Sequence, residues 1–183
     1  MAAPLLVSFN AASTGSWCIR GILAVCGETL PEASHLDVVE GVSAEPGAVW
    51  SLRGSTGNAR YSSRSELDAL ARRHEGLGRP QADCAALIPI RKNAAWWNLA
   101  QDERRAILEE SSRHIAIGLD YLPAVSRRLH HSRELGEPFD FLTWFEYAAD
   151  HRAAFDEMLA RLRATEEWQF VEREVEVRLE RTA

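Results

Sequence analysis

The sequence predicts an α+β fold whose second half runs in the order β-α-β-β-α-β. Three observations carry that expectation. Four segments have the length and patterning of strands, at 85–91, 124–132, 139–147 and 168–179. Two stretches between them, 99–113 and 151–163, have helical spacing. No apolar run approaches the ~20 residues needed to cross a membrane.

The elements of the first half are fainter. Strands are expected at roughly 4–9, 17–25 and 47–54, and a helix at 63–74 after Tyr61-Ser62-Ser63. This half reads as a reduced copy of the second, its first helix cut to a loop around Pro31–Leu36. Gly76–Ala82 is the linker expected between them. In the second half, AALIPIR (85–91) is a short apolar strand. Helix 99–113 has Asn98 and Gln101 at capping-box spacing, and Arg105 and Glu109 one turn apart. Strand 124–132 precedes a stronger aromatic one, FDFLTWFEY (139–147), with Phe141 and Phe145 on one face and Leu142 and Trp144 on the other. A sheet apolar on both faces needs a second layer beyond its own helices, which a partner subunit would supply. Helix 151–163 is capped by Asp150 and striped by Phe155, Met158, Leu159 and Leu162. The last strand alternates at Val171, Val175, Val177 and Leu179. This order is the ferredoxin-like arrangement.

At 183 residues, 46% hydrophobic and 26% charged, the chain has an ordinary globular composition. A net charge of −6 gives no reason to expect nucleic acid. Three cysteines without C-x-x-C spacing argue against a disulfide framework or a zinc site. The start MAAPLLVSFNAAS lacks a basic, apolar leader, so the expected location is the cytoplasm.

Three residues stand out. His114 lies seven residues after Ile107, on nearly the same helix face, as either a metal ligand or a satisfied core histidine. Arg127 is in phase with Val125 and Leu129 on the apolar face of its strand, whereas Arg128 shares the polar face. A guanidinium there forms a structural ion pair, or waits for an anion. Glu167 falls in line with Val171 and Val175 and faces inward if the last strand keeps its phase; otherwise Glu166 and Glu167 cap the preceding segment.

Together these residues sit in stretches that closely resemble one family. CAALIPIRKNAAWW, SSRHIAIGLDYLPAVSRRLHHSRELGEPFDFLTWFEY and LRATEEWQFVERE, with RGSTGNARYSSRSEL at 53–67, resemble the chlorite dismutases, especially their short, dimeric form. The likeness runs from about Val49 onward. It implies a dimeric α+β barrel of two ferredoxin-like halves. Residues 1–82 would be the truncated N-terminal half, and residues 83–183 the C-terminal half that binds haem b. His114 matches the axial ligand of the haem iron, and Glu167 its hydrogen-bond partner. Arg127, thirteen residues on (127 − 114 = 13), matches the distal arginine. Trp97, Trp96 and Tyr61 match residues lining the haem and its propionates. The implied activity is conversion of chlorite to chloride and dioxygen, with Arg127 orienting the anion and retaining hypochlorite, in a homodimer without nucleic-acid or membrane partners. Coproheme decarboxylases share the fold but have a glutamine where this chain has Arg127. A peroxidase-like haem protein and a non-catalytic haem-binding module would each tolerate the same residues. One departure concerns Arg73-His74-Glu75, where the short form has a glutamine that holds the arginine.

Overall fold

The computed structural model describes residues 4–42, 46–56 and 61–182; residues 57–60 of the stretch 53–67 therefore lie outside the described residues. Among the described residues, eight strands close into one antiparallel barrel. They are β1 (Leu6–Ala12), β2 (Trp17–Cys26), β3 (His35–Glu40), β4 (Trp50–Ser55), β5 (Cys84–Lys92), β6 (Ser126–His131), β7 (Phe141–Tyr147) and β8 (Val171–Arg181). The barrel order is β1-β3-β2-β8-β5-β7-β6-β4. Read from β4, the first four strands follow 4-1-3-2; read from β8, the last four repeat the pattern as 8-5-7-6. The α+β expectation and the doubled ferredoxin-like plan are thus met. The helices are α1 (Arg64–Arg73), α2 (Ala94–Asn98), α3 (Gln101–Arg105), α4 (His114–Asp120) and α5 (Arg152–Arg163). No helix among the described residues is long and apolar enough to cross a membrane.

Strand alternation sorts the apolar residues into two clusters. Phe9, Leu36, Leu52, Leu87, Leu142, Trp144, Val175 and Val177 fill the barrel. Ala86, Ile88, Ile90 and Phe145 point outward, against Ile117, Phe155, Met158 and Leu159 of the helices. β5 is therefore buried on both faces, which is why it reads as a continuous apolar run. The second layer expected from a partner subunit is supplied instead by the chain's own barrel interior, because β1 and β3 join β4 and β2 to close the sheet.

Several local expectations need correction. β3 was not expected from the sequence: it begins only at the end of the loop placed around Pro31–Leu36, its six residues carry little apolar pattern of their own, and it is held by pairing with β1. Asn98 ends α2, and the backbone N–H of Ala100 is met by Glu103 Oε2 at 2.6 Å, so no Asn98–Gln101 cap forms. The expected single helix 99–113 changes at Ala106–Ser111 into a wider π-helical turn and then breaks at Arg113, whose φ of 54° is left-handed. Asp150 sits in a 3-10 turn, and His151 holds the cap position of α5 without a side-chain bond. The stripe Phe155, Met158, Leu159 and Leu162 is buried as expected.

The polar face of β6 turns into the barrel, not toward solvent: Ser126 and His130 are fully buried. His130 Nδ1–H donates to the Leu142 carbonyl at 3.0 Å. Burial foremost, with the nearby charges of Arg128 and His131, pushes its pKa from 6.5 down to about 4. The folded value is the lower one, so this stability is present above pH 6.5 and drains away as pH falls toward 4. Lowering pH from 7 to 5 should cost wild type about 2 kcal/mol through this group alone. Denaturant titrations of wild type and His130→Asn at both pH values check this. An equal loss in the two proteins would place the acid sensitivity elsewhere.

Candidate functional site

The outer face of β5, β6 and β7 does not pack directly against all of its helices. Between them lies a cavity of about 480 Å³, a size typical of cofactor and small-molecule sites. Its walls are largely apolar, including Ile88, Ile90, Phe141, Phe145, Leu159 and Leu162. The polar groups entering it are few, and they include His74, Lys92, His114, Arg127, His131 and Glu167.

His114 reaches the cavity by a break, not by helix periodicity. The left-handed turn at Arg113 ends the segment that carries Ile107, and His114 begins a new helix, α4. Glu109 holds the junction by accepting the N–H groups of Ile115 at 2.7 Å and Ala116 at 3.3 Å. Arg105, expected to pair with Glu109, instead forks onto Glu66 of α1 at 2.6 and 2.8 Å and donates to the Tyr61 carbonyl. That contact ties Tyr61 to the cavity wall.

Glu167 is buried and faces inward, but not by strand phase. It lies on a 3-10 turn, Glu166–Phe170, and β8 has a register shift beside it, between the Arg91–Arg173 and Lys92–Val171 pairs. Val171 consequently packs with the outer cluster while Val175 is in the barrel. Glu167 Oε2 accepts from His114 Nδ1–H at 2.6 Å, and Oε1 accepts from Lys92 Nζ at 2.8 Å. Burial alone would raise this carboxyl; the contacts of His114 and the Lys92 ammonium overcome it and hold the group well below the usual carboxylate range. Ser112 Oγ also accepts the Glu167 backbone N–H. The imidazole is therefore fixed through Nδ1, leaving Nε2 for a ligand.

Lys92 was missed in the sequence. Its signal was parity: it follows Ile88 and Ile90 at even positions and so shares their outward, buried face. Its Nζ lies 4.6 Å from the Trp96 ring, within cation–π range.

Arg127, Leu129 and His131 all line the cavity, as the parity of β6 requires. Arg127 is half-buried and lines the cavity, and burial pushes its guanidinium down from 12.5 to about 10, so it stays cationic at neutral pH. No side chain or carbonyl among the described residues accepts a hydrogen bond from it, which excludes the structural ion pair. His74 holds Arg127 by the backbone. The Gly76 N–H to His74 Nδ1, at 3.1 Å, assigns the proton to Nε2, which donates to the Arg127 carbonyl at 2.9 Å.

Trp96 and Tyr61 line the cavity, their rings edge to face at 6.1 Å. Trp97 does not. Its Nε1–H donates to Asp140 at 3.2 Å, and Arg133 lies 3.9 Å from its ring. Among the described residues, no group of three or more His, Cys, Asp or Glu side chains is placed to hold a bare metal ion. A metal bound by His114 alone would have to bring its other ligands with it, as a macrocycle does.

Comparison with known proteins agrees with this geometry. Residues 43–181 match the family model described as Chlorite dismutase. Chlorite dismutase of Ideonella dechloratans is 38% identical over 78 residues, which are 43% of this chain and 25% of that protein. The match thus spans about a quarter of the curated relative's length. Dimeric chlorite dismutase from Nitrobacter winogradskyi superimposes with a TM-score of 0.92 at 52% identity, covering 96% of this chain and 99% of that one. Chlorite dismutase from Candidatus Nitrospira defluvii, solved in complex with imidazole, shares the fold at a TM-score of 0.64 and 18% identity, over 96% of this chain and 90% of that one.

Proposed function

The chain belongs to the chlorite dismutase family, and from that premise we propose that it binds haem b and converts chlorite to chloride and dioxygen. One observation carries the reading. A single apolar cavity is lined both by an imidazole pinned to a buried carboxylate and by a half-buried guanidinium with no partner among the described residues. The residues fit the group: a cavity of about 480 Å³, one free imidazole nitrogen, and aromatic walls at Trp96 and Tyr61.

In this proposal His114 Nε2 binds the iron and Glu167 accepts its Nδ1–H, giving the imidazole anionic character. Lys92 shares the carboxylate and moderates that donation. When bound, the haem supplies oxygen-atom transfer at iron. Arg127 supplies what the protein must add for an anionic substrate: a fixed positive charge in an apolar pocket, which draws chlorite in and orients an oxygen toward the metal. The same cation would keep hypochlorite in the pocket until its remaining oxygen couples with the one already transferred and the last Cl–O bond breaks, so one chlorite would yield one chloride and one dioxygen without an outside reductant. Trp97 stacks on Phe141, a residue of the cavity wall, and so stands one layer behind it. We propose a homodimer, on the strength of the dimeric relative.

Haem-loaded protein should consume chlorite with no reductant present. Consumption of hydrogen peroxide with a reducing dye, but not of chlorite, would instead favour a peroxidase.

Glu167→Gln should raise the Fe(III)/Fe(II) potential, because a neutral amide draws less on the imidazole N–H. It should cost about 10–100-fold in activity or metal affinity. Glu166→Gln, on the exposed side of the same turn, is the control. Spectroelectrochemistry giving equal potentials for Glu167→Gln and wild type would contradict the assignment.

A further inference from the structure

Gly118 lies on α4 one turn beyond His114 and is buried. A Cβ built there would stand 1.7 Å from Arg127 Nη1 and 2.3 Å from both Cζ and Nη2. These three atoms are the nearest neighbours of that position, and all belong to one guanidinium. The glycine is not required by its backbone, because it is helical and not among the positive-φ residues. In such a place glycine is the weakest helix former after proline, so its presence calls for a reason in packing. Any side chain at 118 would evict the Arg127 guanidinium.

We propose that Gly118 is the seat that positions Arg127. By withholding a side chain, it lets the guanidinium rest on bare helix without a carboxylate to hold it. A charge held by an acid would be neutralised; a charge held by shape stays available to a small anion. His74 fixes the backbone of Arg127 from one side and Gly118 receives its far end from the other. The role of Gly118 toward substrate rests on the reading of Arg127 given above. Its role as a seat does not.

The test is a double-mutant cycle on the full chain with Gly118→Ala, Arg127→Ala and the pair. Fluoride binding to the ferric haem protein is followed by the Soret shift, and thermal unfolding is measured with and without haem. Gly118→Ala should keep its Soret band and lose roughly ten-fold in fluoride affinity, the size of one charge-assisted contact. Arg127→Ala should lose at least as much, and adding Gly118→Ala to it should change affinity no further. The unfolding cycle should reverse sign. Alanine at 118 should lower Tm or leave it unchanged when Arg127 is present, and raise it when Arg127 is absent, since only helix propensity then remains. Equal effects of Gly118→Ala in both backgrounds would overturn the proposal. So would a pair that fails to fold, which would make Gly118 a packing residue for something other than Arg127. If wild type bound no haem, the proposed function would fall, and the haem-free unfolding cycle would still decide whether the seat exists.

Discussion

Replacing His114 with alanine is expected to give a folded protein that no longer holds haem. His114 is half-buried at the start of α4, and its ring is anchored by one bond to Glu167, so its removal leaves both cores intact. The other two histidines lining the cavity are placed differently: His74 is spent on Gly76 and the Arg127 carbonyl, and His131 sits edge-on to Phe141. Losing the ligand itself should exceed the 10–100-fold cost of losing an outer partner. The Soret band at equal haem and protein, with circular dichroism as the fold control, checks this. A variant with a normal band and normal five-coordinate spectrum would move the ligand elsewhere.

The second large effect is expected at Arg127. Arg127→Ala should bind haem normally, since the guanidinium carries no structural hydrogen bond among the described residues. Its catalytic efficiency with chlorite should fall by one to two powers of ten, because a lost charge-assisted contact is worth about 1.5–3 kcal/mol. It should also release hypochlorite and bleach sooner, as nothing retains that anion. Arg127→Lys should recover part of the rate but less of the retention, because an ammonium lacks the planar fork. Oxygen release measured beside chlorination of monochlorodimedone separates the two functions. Matching rates, lifetimes and dye reaction in wild type and Arg127→Ala would make Arg127 structural.

The sequence was most legible where period and burial coincide. β5, β7 and α5 follow their patterns closely because each faces a large apolar cluster. β3 was hidden because His35–Glu40 has strand character only when paired with β1. Arg127 followed from the parity of β6, but the same parity misread the other face. Its polar residues enter the barrel, where Ser126 and His130 are buried. His114 and Glu167 were found by resemblance, and the periodic arguments offered for them do not describe how they are placed. A left-handed residue at Arg113 re-aims the one, and a 3-10 turn beside a bulge carries the other. Both are local breaks in regular structure, to which a periodicity argument is blind. Lys92 and Gly118 went unremarked for a related reason. Each is meaningful only through a contact distant in the chain, with Glu167 and with Arg127.

The central claim is that this cavity, with His114 on the metal and Arg127 free to hold an anion, turns chlorite into chloride and dioxygen. An oxygen electrode trace on adding chlorite to the haem-loaded wild-type protein, with no reductant in solution, tests it most directly. The expected result is one dioxygen released per chlorite consumed, at a rate proportional to bound haem. A haem-loaded protein with an intact Soret band that releases no dioxygen would contradict it.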